Sequence, residues 1–165
     1  MTPDRTAPAP VELRPLPPAA TGELLTLQRA AYVTEARLYG DPFLPALVQT
    51  LDELAAELGG SRCTGAWTGP RLVGAVRTRE AGGLLHIGRL VVAPDLQGRG
   101  IGSRLLRAAE AATTLRRATL FTGHLSEANL RLYRAVGYVE TRREHVRPGL
   151  ELVHLAKALP VPARP

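Results

Sequence analysis

Residues 84–115 read LLHIGRLVVAPDLQGRGIGSRLLRAAEAATTL, and this stretch organises the rest of the chain. Its first ten residues, 84–93, form an apolar run of strand length that does not alternate, which predicts a strand buried on both faces. Pro94 and Asp95 end that strand. The apolar residues that follow recur at spacings of three and four, which is one face of a helix. They are Ile101, Leu105, Ala108, Ala112 and Leu115.

The hinge between this strand and helix, residues 97–102, reads QGRGIG. The first turn of a helix has backbone N–H groups without partners and carries the positive end of the helix dipole, so it attracts anions. The alternate glycines Gly98, Gly100 and Gly102 have no Cβ atoms to hold a phosphate away. Arg99 and Arg104 can add charge-assisted contacts. These features predict a site for a diphosphate.

Two other phosphate-binding motifs fit the hinge poorly. A P-loop requires Lys and then Ser or Thr after its last glycine, and Ile101-Gly102-Ser103 contains no Lys. A dinucleotide fingerprint has the spacing G-x-G-x-x-G and an acidic residue about twenty positions later, where this chain has Leu120. A tight strand-to-helix connection that binds no ligand is the remaining alternative.

Length and composition predict one soluble domain. The chain has 165 residues and is 45% hydrophobic, which suffices for a single well-buried core. The single cysteine, Cys63, excludes an internal disulfide and favours a reducing, cytoplasmic location. No apolar run approaches the about eighteen residues that span a membrane. The four histidines have no metal-ligand spacing, so no metal site is expected.

The net charge of +6 raises the question of nucleic-acid binding. All but one of the 21 basic residues are arginines, and they are scattered along the chain rather than grouped in a block. Aromatic residues make up only 4% of the chain, which leaves few side chains on which bases can stack. We therefore expect a solvated basic surface and no nucleic-acid partner.

The remaining pattern predicts, in order, a strand, two helices, three strands, a helix, a strand, a helix and two strands over residues 11–158. One domain is expected over residues 11–159, with tails at 1–10 and 160–165. Thr21, Thr50 and Ser126 precede helical patterns as capping residues. Leu38 and Leu51 are expected to face the core, and residues 42–49 to form a loop.

The hinge and its flanks resemble the GNAT superfamily of acyl-CoA-dependent N-acyltransferases. The signature of that family is Gln or Arg, two residues, Gly, one residue, and Gly or Ala, which Gln97, Gly100 and Gly102 match after the family-like segment 90–94, LVVAP. The predicted order of elements matches as well. The resemblance implies a single-domain α/β (α+β) fold with a mixed, mostly antiparallel seven-stranded sheet, about four helices, and a splay between the fourth and fifth strands.

The resemblance further implies acetyl-CoA as the acyl donor. Its pantetheine arm is expected along the central strand, its pyrophosphate at the hinge, and the helix after the fifth strand beside it. The residues implied in these contacts are Leu90, Val91, Val92, Gln97, Gly98, Arg99, Gly100, Ile101, Gly102, Ser103, Asn129 and Tyr133.

For catalysis, the resemblance implies that Tyr133 is the general acid that protonates the departing thiolate. Many family members carry an acidic residue just before the Leu-x-Val segment of the central strand, where this chain has Gly88-Arg89. His86 and His124 are the substitute candidates for the general base, because their intrinsic pKa suits proton transfer near neutral pH. Deprotonation through water stays open. Residues near the first helix, Glu35 and Tyr39, are candidates for the acceptor site.

The function implied is N-acetyl transfer to a primary amine by direct attack in a ternary complex. The acceptor, either a small molecule or a peptide or protein amine, is not specified by the sequence, and neither is the oligomeric state, a homodimer included. The alternative is a non-catalytic module that binds or senses acyl-CoA with the same fold.

Overall fold

The computed structural model describes residues 9–161, and a seven-stranded sheet in the order β1-β2-β3-β4-β5-β7-β6 forms its centre. Neighbouring strands are antiparallel except for the parallel pair β4–β5. The predicted fold class is thereby confirmed. Of the predicted tails, residues 1–8 and 162–165 lie outside the described residues. The strands are β1 (Val11–Pro15), β2 (Arg62–Thr68), β3 (Arg71–Ala81), β4 (Leu84–Val92), β5 (Arg117–Gly123), β6 (Val139–Arg147) and β7 (Leu150–Ala158).

Five α-helices accompany the sheet within residues 9–161: α1 (Thr21–Tyr39), α2 (Pro45–Val48), α3 (Leu51–Gly59), α4 (Ile101–Ala111) and α5 (Glu127–Val136). Helices α1 and α3 contact Arg77 of β3, whereas α4 packs over Gly74 of the same strand. Because successive residues of a strand face opposite sides, these helices cover opposite faces of the sheet. No helix in this part of the chain is long and apolar enough to cross a membrane.

The short helix α2 replaces part of the loop predicted over residues 42–49. Pro45 occupies its first turn, where the fixed φ of proline suits a helix and its missing N–H costs nothing. Proline often indicates a loop, but at a first helical position it starts a helix, and the loop predicted over this part of residues 42–49 is therefore wrong.

The capping predictions succeed at one helix and fail at two. Thr50 forms the full capping box with Glu53 at the start of α3. Thr21 instead lies inside α1 and donates its hydroxyl to the carbonyl of Pro18 at 2.7 Å. Ser126 does occupy the N-cap position of α5, but its hydroxyl makes no cap hydrogen bond.

Several predicted core positions are exposed. Leu38 is 41% exposed and Leu51 is 49% exposed. In α4, the buried residues are Ile101, Leu105, Leu106 and Ala109, and the helix ends at Ala111, so that Ala112 lies beyond it at the surface. The helix ends earlier than its apolar pattern because the chain turns at this point toward β5.

Strand β4 is also less buried than predicted. Leu85, Ile87 and Val91 are buried, but Gly88 is exposed and the other positions are half-buried. The reason is that β5 pairs with β4 only at Leu85 and His86, and beyond these residues the two parallel strands separate. The predicted splay is therefore present, and it leaves most of one edge of β4 unpaired.

Candidate active site

The separation of β4 from β5 opens a cleft of about 1510 Å³, whose walls are α1, β4, β5, α5 and the hinge before α4. We call this the splay cleft. Every residue implied in cofactor contact lines it except Arg99. The cleft also contains His86, Glu35 and Tyr39, whereas His124 is not among the residues that line it.

The hinge has the geometry expected of an anion site. Gly98 and Gly100 have φ of 75° and 82°, left-handed angles that strain any residue with a Cβ atom. Among residues 9–161, the backbone N–H groups of positions 98–103 have no hydrogen-bond acceptor, and α4 has neither a side-chain cap nor an acidic residue in its first turn. A row of free amides at the positive end of a helix fits a pyrophosphate.

Three residues of the hinge region make contacts that the sequence does not predict. A Cβ atom on Gly102 would lie 3.1 Å from Leu132 Cδ2, so this glycine also permits α4 and α5 to pack closely. Arg104 donates from Nη2 to the carbonyl of Val11 at 2.9 Å and is thereby held at β1. Gln97 donates its side-chain amide to the carbonyl of Val92 at 3.2 Å, which holds the hinge against the end of β4.

Tyr133 lines the splay cleft. The residue is 6% exposed, packs edge-on against Tyr138 with ring centroids 6.3 Å apart, and its hydroxyl makes no hydrogen bond within the described chain. Burial raises the pKa of Tyr133 well above its usual range, and Tyr32 and Glu35 add to this effect. The phenol therefore keeps its proton at physiological pH. One turn earlier, Asn129 donates to Thr122 Oγ1 at 3.3 Å, which ties α5 to β5.

The two candidate histidines differ in how their ring nitrogens are used. His86 lies on β4 in the cleft, and its Nε2 is 3.2 Å from the carbonyl oxygen of Ala81, which assigns a proton to that nitrogen and leaves Nδ1 unbonded. In His124, Nδ1 accepts the backbone N–H of Glu151 at 3.0 Å. Proton uptake at this nitrogen would break that bond.

Arg89 marks a β-bulge in the middle of β4. The register between β3 and β4 shifts here, and Arg89 has φ of 49°, the one positive φ of a non-glycine residue in residues 9–161. Its guanidinium lies 5.7 Å from the ring centroid of Tyr32 and forms no ion pair with any described residue. A cation thus stands at the place where the resemblance leads one to look for a carboxylate.

A second polar cluster joins α1 to the start of α5. The hydroxyl of Ser126 donates to the Glu35 carboxylate at 2.6 Å, and Tyr39 accepts the backbone N–H of Leu125 at 3.0 Å through its hydroxyl. The local sequence around Ser126 predicts only a capping role for this residue. The sequence does contain an indication that α1 contributes to this cluster. Its residues Tyr32, Glu35 and Tyr39 recur at helical spacing and form a polar stripe on one face.

Comparison with known proteins supports one family. A family model described as the acetyltransferase (GNAT) domain matches residues 32–159, more than three quarters of the chain. A search of curated protein sequences finds no match.

Solved structures share the fold at low sequence identity. The PaiA N-acetyltransferase from Thermoplasma acidophilum, solved in complex with coenzyme A, has a TM-score of 0.74 at 17% identity, with 88% of this chain and 98% of that chain covered. The ribosomal-protein-S18-alanine N-acetyltransferase from Escherichia coli has a TM-score of 0.75 at 14% identity, with coverage of 93% and 97%. YncA from Salmonella typhimurium, a putative acetyltransferase solved with acetyl-CoA, has a TM-score of 0.72 at 15% identity, with coverage of 95% and 98%. Together with the free hinge amides and the splay cleft, the family match shows that this chain belongs to the GNAT acetyltransferase family.

Proposed function

We propose that the protein is an N-acetyltransferase that transfers an acetyl group from acetyl-CoA to a primary amine by direct attack in a ternary complex. The observation that supports this most is the position of the Tyr133 hydroxyl. The Tyr133 residue is 6% exposed, its phenol keeps its proton, its hydroxyl has no hydrogen-bond partner in residues 9–161, and it lines the same cleft as the unpaired hinge amides.

The residues present fit acetyl-CoA. The N–H groups of residues 98–103 would hold its pyrophosphate, and the unpaired edge of β4 near Leu90 and Val92 would bond its pantetheine arm as another strand does. Bound acetyl-CoA would supply an activated thioester. Asn129 also lines the splay cleft, and its hydrogen bond to Thr122 holds α5 against β5.

The proton transfers follow from the chemistry of the step. A bond forms between the amine nitrogen and the acetyl carbon while the carbon–sulfur bond breaks, and the departing thiolate receives the Tyr133 proton. The amine must first be neutral, so a base is needed. Each histidine has one ring nitrogen without a hydrogen bond in residues 9–161, and His86 is the better candidate because it lines the splay cleft, whereas His124 does not.

The second candidate function is acyl-CoA binding without catalysis. Arg89 favours it, because β4 presents a guanidinium to the cleft and has no carboxylate of its own. The two functions differ in one measurable property, namely whether thiol is released when an amine is present.

The experiment combines calorimetric binding of acetyl-CoA with thiol release against polyamines, L-amino acids, aminoglycosides and peptide N-termini. We expect binding and turnover with at least one amine. Binding without turnover across the panel would favour the non-catalytic module.

Gly100→Glu is expected to weaken acetyl-CoA binding at least 100-fold through strain and charge repulsion. Gly82→Glu, at a left-handed glycine of the β3–β4 turn, is the control and should bind as the wild type does. Equal binding by both variants would contradict the assigned site.

The single cysteine also supports a cytoplasmic location, which we propose together with the function. The acceptor is a small molecule or a peptide or protein amine. A homodimer is compatible with the proposal, and sedimentation of the pure protein would establish its oligomeric state.

A further inference from the structure

We infer that Glu35 is the residue that binds the ammonium group of the acceptor and takes its proton, and that the acceptor is a strongly basic amine that arrives as a cation. This inference rests on the proposed acetyl transfer. It adds a catalytic residue and a substrate class that the histidine candidates do not provide.

The first observation is the unusual use of Ser126. A serine at an N-cap ordinarily accepts a hydrogen bond from the first turn of its helix, and that bond stabilises the helix. Ser126 is 3% exposed and occupies the N-cap of α5, yet it makes no cap bond and donates to Glu35 at 2.6 Å. The helix end is left uncapped while the carboxylate is held in one orientation.

The second observation comes from the three carboxylates that line the splay cleft: Glu35, Glu57 and Glu127. Glu57 is paired with Arg77 at 3.1 Å, and Glu127 is exposed in the first turn of α5. Glu35 is half-buried and forms no ion pair within residues 9–161. One hydroxyl donor does not saturate a carboxylate, which can accept about four hydrogen bonds. Its remaining capacity suits the three donors of an alkylammonium group.

The surroundings of Glu35 also suit a cation next to the reacting atoms. Tyr39 lies four positions away on the same face of α1, and aromatic faces attract ammonium groups. The ring of Tyr32, three positions away, already has the Arg89 guanidinium 5.7 Å from its centroid. Glu35 is close enough to Tyr133 to act electrostatically on its hydroxyl. Both the carboxylate of Glu35 and the proposed acid belong to residues that line the splay cleft.

The protons balance in this arrangement. An alkylammonium loses one proton to become a nucleophile, and Glu35 takes that proton and passes it to solvent. The nitrogen loses a second proton when the amide forms, and this offsets the proton that Tyr133 gives to the thiolate. The net reaction releases one proton, one thiol and one amide for each amine consumed.

The experiment distinguishes a Glu35 that acts as the base from a Glu35 that only holds α1 to α5. Glu35→Gln keeps an acceptor for Ser126 but removes the base, and we expect kcat/KM to fall at least 100-fold for the alkylamine of the panel that the wild type acetylates fastest. Acetyl-CoA affinity should stay within twofold. The control is Glu12→Gln, which makes the same charge change on the exposed β1 and should keep wild-type activity.

Rescue by an external carboxylate provides the second readout. Glu35→Ala should be inactive and should regain activity at least tenfold in formate, whereas formate should not change Glu12→Ala. If Glu35→Gln retains activity within threefold of Glu12→Gln, the inference is overturned. If formate fails to restore Glu35→Ala, Glu35 is a structural tie and the inference is overturned as well. Absence of thiol release by the wild type with every amine would instead contradict the proposed function.

Discussion

The two halves of α1 belong to one helix but differ in burial and in hydrogen bonding. In residues 21–30, Leu24, Leu25, Leu27 and Gln28 are buried against the sheet. In residues 31–39 no residue is buried, and Leu38 is 41% exposed. The first half lies over β3, where the sheet is continuous. The second half faces the splay cleft, where the sheet is open.

The polar groups of the two halves differ in the same way. Gln28 donates to the carbonyl of Ala46 at 2.8 Å and to Gln49 at 3.0 Å, and it accepts from the buried Arg77, which also pairs with Glu57. Glu35 in the second half has Ser126 as a single protein donor in residues 9–161. Saturated polar groups specify a packed structure, whereas unsaturated ones at a cleft are available to a ligand.

Gln28→Leu, in the first half of α1, is expected to lower the free energy of unfolding more than any of the other substitutions below. The substitution removes one acceptor of the buried Arg77 guanidinium, which keeps its ion pair with Glu57, and it leaves the buried carbonyl of Ala46 without the donor it had. Buried polar groups that lose their partner cost about 1–3 kcal/mol each, so we expect a loss of about 3 kcal/mol of unfolding free energy. Urea denaturation measures this change. Thr34→Val, at an exposed position of the second half, is the control and should change stability by less than about 0.5 kcal/mol. A loss of under about 1 kcal/mol in Gln28→Leu would remove the distinction between the two halves.

Tyr133→Phe, on the cleft side, should lower turnover and leave stability nearly unchanged. Because its hydroxyl has no partner within the described residues, we expect stability to change by less than about 1 kcal/mol. Turnover should fall about 100-fold, the order expected for loss of a general acid, while acetyl-CoA binding is kept. Steady-state thiol release and calorimetry measure the two quantities. Unchanged turnover would exclude Tyr133 as the acid.

The pH dependence of stability should test whether the pKa of Tyr133 is raised in the folded protein. Burial raises the pKa of Tyr133, so its contribution to stability is complete below the ordinary tyrosine pKa of 10.0 and is lost as the pH rises above it, where the unfolded chain gives up a proton that the folded chain retains. Between pH 9 and pH 11, Tyr133→Phe should lose about 1 kcal/mol less stability than the wild type in urea denaturation. Parallel losses in the two proteins would show that the hydroxyl is solvated.

The smallest effect is expected where the end of α1 meets the terminal hairpin. Arg147 pairs with Asp41, just beyond the helix, at 2.7 Å, with side chains 42% and 25% exposed. Partly exposed ion pairs contribute about 0.5 kcal/mol and are screened by salt. Arg147→Gln should therefore lower stability by about that amount at low salt and by less in 1 M NaCl. A loss above about 2 kcal/mol would mean that this contact supports the fold as strongly as the Gln28 cluster does.

Much of the fold could be predicted from local pattern. The end of β4 before Pro94, the start of α4 at Ile101 and the capping by Thr50 depend on residues a few positions apart, and the structure has each of them as predicted. One error occurred where a distant residue competes for a local group. Ser126 was expected to cap α5, but Glu35 lies 91 positions earlier and takes its hydroxyl. No pattern within one helix contains that information.

The sequence by itself determined the strand, hinge and helix of residues 84–115, because periodicity, glycine angles and free helix-end amides are properties of neighbouring residues. It also determined that β4 has no carboxylate of its own. Only the tertiary structure decided how far β5 separates from β4, which side of α1 faces the opening, and that Glu35 and Ser126 meet there. These outcomes depend on packing between segments far apart in the chain, and burial and hydrogen bonding among such segments are determined only when the chain folds.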